Sequence, residues 1–333
     1  MTKTKHSWPV QLLLLACLLV CIVLAACVGK YPVSPVESLK IMLGRTENTS
    51  EMTVNVVLGL RVPRILASVI VGGALSMSGA AYQGIFKNPL VSPDFLGVSS
   101  GACIGAAVAI LLSLSATYIS VFAFIFGIAA VLITVAIPAV MGNRTNVMLV
   151  LSGIIVGTAM SSILGFIKYI ADPNTQLASI TYWTMGSFSY ITLADLFAVL
   201  PIIVIPGVIL ILMAWWIDVL SMGEDEARTL GARVGLIRGI TIICATLLTA
   251  GSVCIAGTIS WVGLIVPHFG RMAVGPSNRR LLPMCALLGG LFMLAVDTLT
   301  RTIGTTEMPV SILTGVLGAP IFCWLLFRQR REL

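Results

Sequence analysis

The sequence predicts an all-α membrane protein, with about ten transmembrane helices in a single domain over residues 1–333. Three observations carry this. Charged residues are only 10% of the chain, less than half of the roughly 25% usual in a soluble domain. The hydrophobic set reaches 58% and the mean hydropathy is +1.05. The apolar residues come in continuous runs of about 20, the length a helix needs to cross a bilayer, whereas barrel strands alternate over about 10. The same numbers exclude a soluble enzyme and a disordered chain.

The first apolar run covers about 9–28 and follows Lys3, Lys5 and His6. Leu24-Ala25-Ala26-Cys27 resembles a lipoprotein cleavage box. The run is nevertheless long enough to span, and more membrane follows it, so it reads as a first transmembrane helix. Residues 30–60 form the longest polar stretch, with Lys30, Glu37, Lys40, Arg45, Glu47 and Glu51. Further runs cover about 64–82, 95–115, 118–141, 147–170, 192–217, 236–256, 281–299 and 309–327. A shorter apolar piece lies at about 257–270.

Charge decides the parity. Lys3 and Lys5, Arg228, Arg233 and Arg238, Arg271, Arg279 and Arg280, and Arg328, Arg330 and Arg331 all flank spans. The positive-inside rule puts them in the cytoplasm. The chain must then cross twice between Arg238 and Arg271, and the residues between them give only about 48 Å of helix. Two full crossings of a core about 30 Å thick need more. At least one crossing is therefore expected to be short, tilted or broken, at Gly257, Gly263 or Pro267. Ten crossings place both termini inside. Lys30, Lys40, Arg45, Arg61, Arg64, Lys168 and Arg301 then lie outside, and these external arginines call for a separate explanation.

No catalytic inventory is present. The chain has two histidines, His6 and His268, and no GxxxxGK[ST], HExxH or GxSxG motif, so no catalytic, metal or nucleotide site is expected. The eight cysteines all lie in apolar stretches without a CxxC and read as small buried hydrophobes. No basic cluster with interleaved aromatics points to nucleic acid. Gly97, Gly101 and Gly105 recur every fourth residue, as do Gly153 and Gly157, and predict close helix packing. Pro201 and Pro206 should bend their span. Pro-containing polar turns near Asn88-Pro89 and Pro267-His268 hint at an internal repeat.

Three charged groups remain. Arg61 and Arg64 flank Val62-Pro63 where a helix enters the membrane, either snorkelling to the interface or offering bidentate donors to a partner's carboxylates. Asp297 and Arg301, four apart, can pair on one helical face, with Glu307-Met308-Pro309 following. The loop at about 218–236 is centred on Ser221-Met222-Gly223-Glu224-Asp225-Glu226-Ala227-Arg228-Thr229-Leu230-Gly231. Its early acids and its terminal Gly231 describe a short capped helix, lying on the membrane or held by a cytoplasmic motor protein.

Taken in order, several segments closely resemble the iron-chelate and cobalamin permeases, the membrane subunits of type II ABC importers. They are Arg61-Val-Pro-Arg64, the stretch from Gly79 to Gly101 that contains KNPLVSPDFLG, GTISWVGLIVPHFGR from Gly257 to Arg271, Asp297-Thr-Leu-Thr-Arg301, Glu307-Met-Pro309 and Gly318-Ala-Pro320. The likeness runs from about 30 to 330. It implies ten spans, a second permease subunit (identical or not), two cytoplasmic ATPases and an extracytoplasmic substrate-binding protein. It also implies that ATP and Mg are bound by the ATPases, with no cofactor in this chain. By the same likeness Arg61, Arg64 and Arg301 match arginines that meet the binding protein. Ser221, Gly223, Glu224, Glu226, Ala227, Leu230 and Gly231 match the ATPase-coupling helix, and the segment after Glu307 matches the last helix, bordering the translocation path. One departure is Ser311, where the family often has Gly two residues after the proline.

The expected function is ATP-driven import of a ferric siderophore across the cytoplasmic membrane, with cobalamin or haem as alternative cargo. An ion-coupled secondary transporter would need ion-loading carboxylates in the membrane. Asp195, Asp218 and Asp297 are the candidates considered near span ends, and none is central.

Overall fold

The computed structural model describes residues 7–46, 49–142, 145–303 and 307–330. Lys3, Lys5, His6, Glu47 and Arg331, which entered the charge reading, lie outside the described residues. Those residues form helices α1 (Ser7–Cys27), α2 (Pro35–Met42), α3 (Glu51–Val54), α4 (Val62–Phe86), α5 (Val98–Leu111), α6 (Ala116–Val140), α7 (Asn146–Ile170) and α8 (Gln176–Met185). They continue with α9 (Leu193–Leu212), α10 (Ala214–Met222), α11 (Glu224–Thr229), α12 (Val234–Ala256), α13 (Val262–Val274), α14 (Asn278–Thr302) and α15 (Val310–Arg330). A π-helical stretch, Asn55–Arg61, fuses α3 to α4. Among the described residues seven helical segments are long and apolar enough to cross a bilayer, and three shorter apolar helices, Val98–Leu111, Val262–Val274 and Val310–Leu325, accompany them. Together they make ten apolar helices, in approximate agreement with the number expected, and the chain is an integral multi-pass membrane protein.

Several boundaries differ from the sequence reading. The second crossing begins at Glu51, because Ser50 accepts the Thr53 amide at 3.2 Å and starts a helix within the polar stretch. The run at 95–115 is shorter than expected. Pro93–Leu96 is a 3-10 turn, and Gly97 takes φ +84° before α5 starts. The run at 192–217 ends at Met213 and restarts as α10. Pro201 and Pro206 both sit inside α9, within one span as the sequence placed them. The crossing after Arg238 breaks at Gly257, which adopts φ +69°, a conformation that favours glycine. Gly263 and Pro267 do not break it, since both lie inside α13. A proline leaves the carbonyl four residues earlier without its helical donor. Here the Gln83 side-chain amide donates to Gly263 O at 3.4 Å and replaces it.

The core is built around α4, which packs along α14 and against α12 and α13. The approach is close because glycines face each other. A Cβ on Gly79 would collide with the Gly263 carbonyl, and one on Gly72 with the Gly289 carbonyl. Polar ties replace the missing hydrophobic drive between helices in lipid. Ser78 Oγ lies 2.8 Å from Thr249 Oγ1 and donates to Ala245 O, and Tyr82 Oη lies 2.9 Å from Thr246 Oγ1. The expected packing glycines divide. Gly101 and Gly105 press against α6, where a Cβ on Gly101 would stand 2.6 Å from Ala130 Cβ. Gly97 is not a packing residue, because its nearest outside atom is 3.8 Å from the Cβ position and its role is the positive φ. Gly153 packs on the Phe95 carbonyl, whereas Gly157 faces open space.

Candidate functional site

Two charged assemblies stand at opposite ends of α14, a helix of 25 residues, hence about 37 Å long.

The first gathers Arg61, Arg64, Asp297, Arg301 and Glu307. Arg64 sits in the first turn of α4 beside Pro63, which suits a position whose N–H has no helical partner. Its Nε donates to Asp297 Oδ1 at 2.7 Å and its Nη1 to Glu307 Oε2 at 2.8 Å. Ser189 and Thr300 accept from it at 3.3 and 3.4 Å, and Ser189 also donates to Glu307. One guanidinium thus ties α4, α14, the loop before α9 and the segment leading into α15.

Arg61 and Arg301 do something different. The last carbonyls of a helix lack intrahelical donors, and that end carries partial negative charge. Arg61 Nη1 donates to Ala26 O at 2.7 Å and to Cys27 O at 3.4 Å, while Nη2 donates to Tyr31 O. Arg301 donates to Val28 O and Ala25 O, each at 3.2 Å, and pairs with Asp297 at 3.3 Å. Both arginines cap the end of α1. Both therefore have a structural role within the chain. Arg61, Arg64 and Arg301 are 6%, 6% and 9% exposed, so none presents an open guanidinium in this arrangement.

The second assembly surrounds α11, the loop read as a coupling helix. Ser221 lies in the last turn of α10 and donates to Asp218 O at 2.6 Å. The Glu226 carboxylate folds back over Gly223, where a Cβ would collide with it. Ala227 is fully buried, Gly231 takes φ +79° and closes the loop as expected, and Leu230 is exposed. Glu224 accepts from Arg238 of α12, and Arg228 lies 3.7 Å from Glu224 and 3.5 Å from Asp225. The Arg238 hydrogen bond holds the Glu224 carboxyl below the usual carboxylate range. The Asp218 carboxylate then reaches the start of α14, accepting from Ser277 Oγ, Asn278 N and Asn278 Nδ2, each at 2.7 Å. The loop is therefore tied to the helix whose far end carries Asp297 and Arg301.

Asp195, Asp218 and Asp297, the carboxylates considered for ion loading, are all engaged. Asp195 closes a capping box with Thr192, Asp218 caps α14 and Asp297 is ion-paired. Among the described residues no group of three or more His, Cys, Asp or Glu side chains is placed to hold a metal ion.

Sequence reasoning missed two parts of this arrangement. Asp218 was set aside as a charge at a span end, and no local signal links it to Asn278, 60 residues away. Ser189 carries no motif at all. Ser311, the departure from the family pattern, donates to Met185 O, and the Val310 amide donates to Gly186 O at 3.0 Å. The hydroxyl thus pins the start of α15 to the end of α8.

A sequence model of the FecCD transport family matches residues 17–328. The chain belongs to the FecCD transport family. It is an ABC importer permease of that family. It is 34% identical to the molybdate import system permease protein MolB of Haemophilus influenzae, over 98% of this chain and 97% of the relative. It is 37% identical to a probable iron chelatin transport system permease protein of Helicobacter pylori, over 85% and 86%. It is 39% identical to the cobalamin import system permease protein BtuC of Halobacterium salinarum, over 82% and 74%. A solved metal-chelate type ABC transporter in an inward-facing conformation superposes with a TM-score of 0.86 at 32% identity, covering 97% of this chain and 99% of that one.

Proposed function

We propose that this FecCD-family chain is the permease subunit of a binding-protein-dependent importer that carries a ferric siderophore across the cytoplasmic membrane. Two such subunits, identical or not, form the path, and two cytoplasmic ATPases supply the work. ATP and Mg belong to those partners, and this chain performs no covalent chemistry. Both termini and α11 lie on the cytoplasmic side, and the arginine cluster lies outside.

The observation that carries the mechanism is α14. At one end Asp218 joins it to the coupling loop, and at the other it bears Asp297 and Arg301. ATP closing the ATPases moves α11, α11 moves the start of α14, and the bundle opens to one side. The exposed Leu230 and Met222 offer the ATPase an apolar grip. The binding protein docks on the rim held by Arg61, Arg64 and Arg301. Its acidic residues compete with the acceptors of this chain, and Glu307, whose side chain is 44% exposed, is the one that yields.

The iron chelatin relatives support the siderophore reading. The nearly full-length match to MolB favours molybdate as a second reading. Uptake by cells lacking this chain, with labelled ferric siderophores, molybdate, cobalamin and haem, separates them. Loss of a ferric chelate, restored by the wild-type chain but not by Glu226→Arg with Gly231→Trp, is the expected result. If that double variant restores ATP-driven uptake, the coupling role of α11 is wrong. Loss of molybdate uptake alone keeps the mechanism and replaces the cargo.

A further inference from the structure

The two proline turns that hinted at a repeat meet in space. Asn88-Pro89 follows α4, Pro267-His268 lies in α13, and both segments line one cavity of about 510 Å³ beside Ser221. Gln83, Lys87, Asn88, Ser221, His268, Arg271 and Asn278 contribute its polar lining, and among the described residues no acidic side chain lines it. The neighbouring carboxylates already have partners. Asp218 is bound to Ser277 and Asn278, and Glu224 to Arg238.

The lining is not satisfied by the chain itself. Among the described residues, Arg271 Nη1, Gln83 Oε1 and Asn278 Oδ1 are buried without a hydrogen-bond partner. Gln83 and Asn278 are only 3% and 4% exposed, and their amide nitrogens are already used, toward Val91 O and Asp218. Buried polar atoms are normally paired, and each exception asks for an explanation. Here the unpaired set contains both a cationic donor and two neutral acceptors. Lys87, in the left-handed region at φ +52° as it ends α4, adds a second cation at the mouth. A lone carboxylate answers the two cations and leaves the amide oxygens unpaired. An apolar ligand answers neither.

We propose that this cavity binds a phosphate ester that also carries free hydroxyls. The phosphate oxygens accept charge-assisted bonds from Arg271 and Lys87, and the hydroxyls donate to Gln83 Oε1 and Asn278 Oδ1. The volume is that of a small-molecule site. Two sources share this chemistry, the headgroup of a glycerol-bearing anionic lipid and a soluble sugar or glycerol phosphate. The assignment is independent of the transported cargo. A ligand here rests between the end of α4, α13 and the start of α14, so its presence bears on how the coupling loop moves those helices.

The test uses the full-length purified chain in detergent. Native mass spectrometry compares retention of phosphatidylglycerol with that of phosphatidylcholine, and equilibrium binding compares glycerol 3-phosphate with glycerol. Preferential binding of the phosphatidylglycerol or of the glycerol 3-phosphate is expected, and the arm that responds identifies the source. Lys87→Gln and Arg271→Gln should each weaken it about tenfold, while Arg45→Gln, an exposed cation elsewhere, leaves it unchanged. Lys87 is on an exposed turn, so that variant keeps its fold even if Arg271→Gln does not. No preference in either arm, or undiminished binding by Lys87→Gln, overturns the proposal.

Discussion

Replacing Arg64 by Met removes the central ion pair of the arginine cluster together with the bonds to Glu307, Ser189 and Thr300. Asp297 is fully buried and accepts from Arg64 at 2.7 Å. Removing one partner of a buried pair costs about 3–5 kcal/mol, because the remaining charge is left uncompensated. Arg301 still lies 3.3 Å from Asp297, which places the expected loss at the low end, about 3 kcal/mol, or roughly two orders of magnitude in the folding equilibrium. Asp297→Asn strands Arg64 less, because Glu307 still accepts at 2.8 Å, and about 2 kcal/mol is expected. Both single variants lose the same contact, so the double variant should fall short of additivity by about 1.5–2 kcal/mol. Equilibrium unfolding of the purified chain by titration with SDS measures all four corners. A coupling below about 0.5 kcal/mol would refute the reasoning, and would mean that Arg64 and Asp297 are held by their other neighbours.

Three further outcomes are expected. Gly79→Val should abolish folded protein, because even a Cβ collides with the Gly263 backbone, whereas Gly157→Ala, with open space around it, should be neutral or more stable by up to about 1 kcal/mol. Size-exclusion yield and melting temperature distinguish the two. The Glu224–Arg238 contact lowers the Glu224 carboxyl, so its contribution is complete above the ordinary carboxylate range and is lost as pH falls through the lowered value. Protease cleavage within 218–236 should therefore rise on acidification below about pH 4, and Glu224→Gln should show the raised cleavage already at pH 7. Ser311→Ala removes the bond to Met185 O and should cost about 1 kcal/mol, read by the same SDS titration, while Thr302→Ala, at an exposed helix end, should change little.

How much of this was legible in the sequence depends on range. Crossing number, the weak crossing after Arg238 and the cap of α11 at Gly231 all follow from hydropathy, charge and glycine, which act within a single segment. The break fell at Gly257 rather than at Gly263 or Pro267 because a distant side chain, Gln83, takes over the hydrogen bond that Pro267 leaves open. Gly97 shared the spacing of Gly101 and Gly105 but not their role, since spacing does not reveal which residue lies before the helix starts.

Arg61, Arg64 and Arg301 show the same division. Composition and position alone determined that arginines stand at the ends of spans, and that a carboxylate four residues before Arg301 was there to pair with it. Only the tertiary structure decided what they hold. Burial and hydrogen bonding are properties of neighbours brought together by folding, and the carbonyls that end α1 lie more than 270 residues from Arg301. A guanidinium in an apolar bundle takes the nearest acceptors the fold supplies, and no local pattern in the chain records which those are.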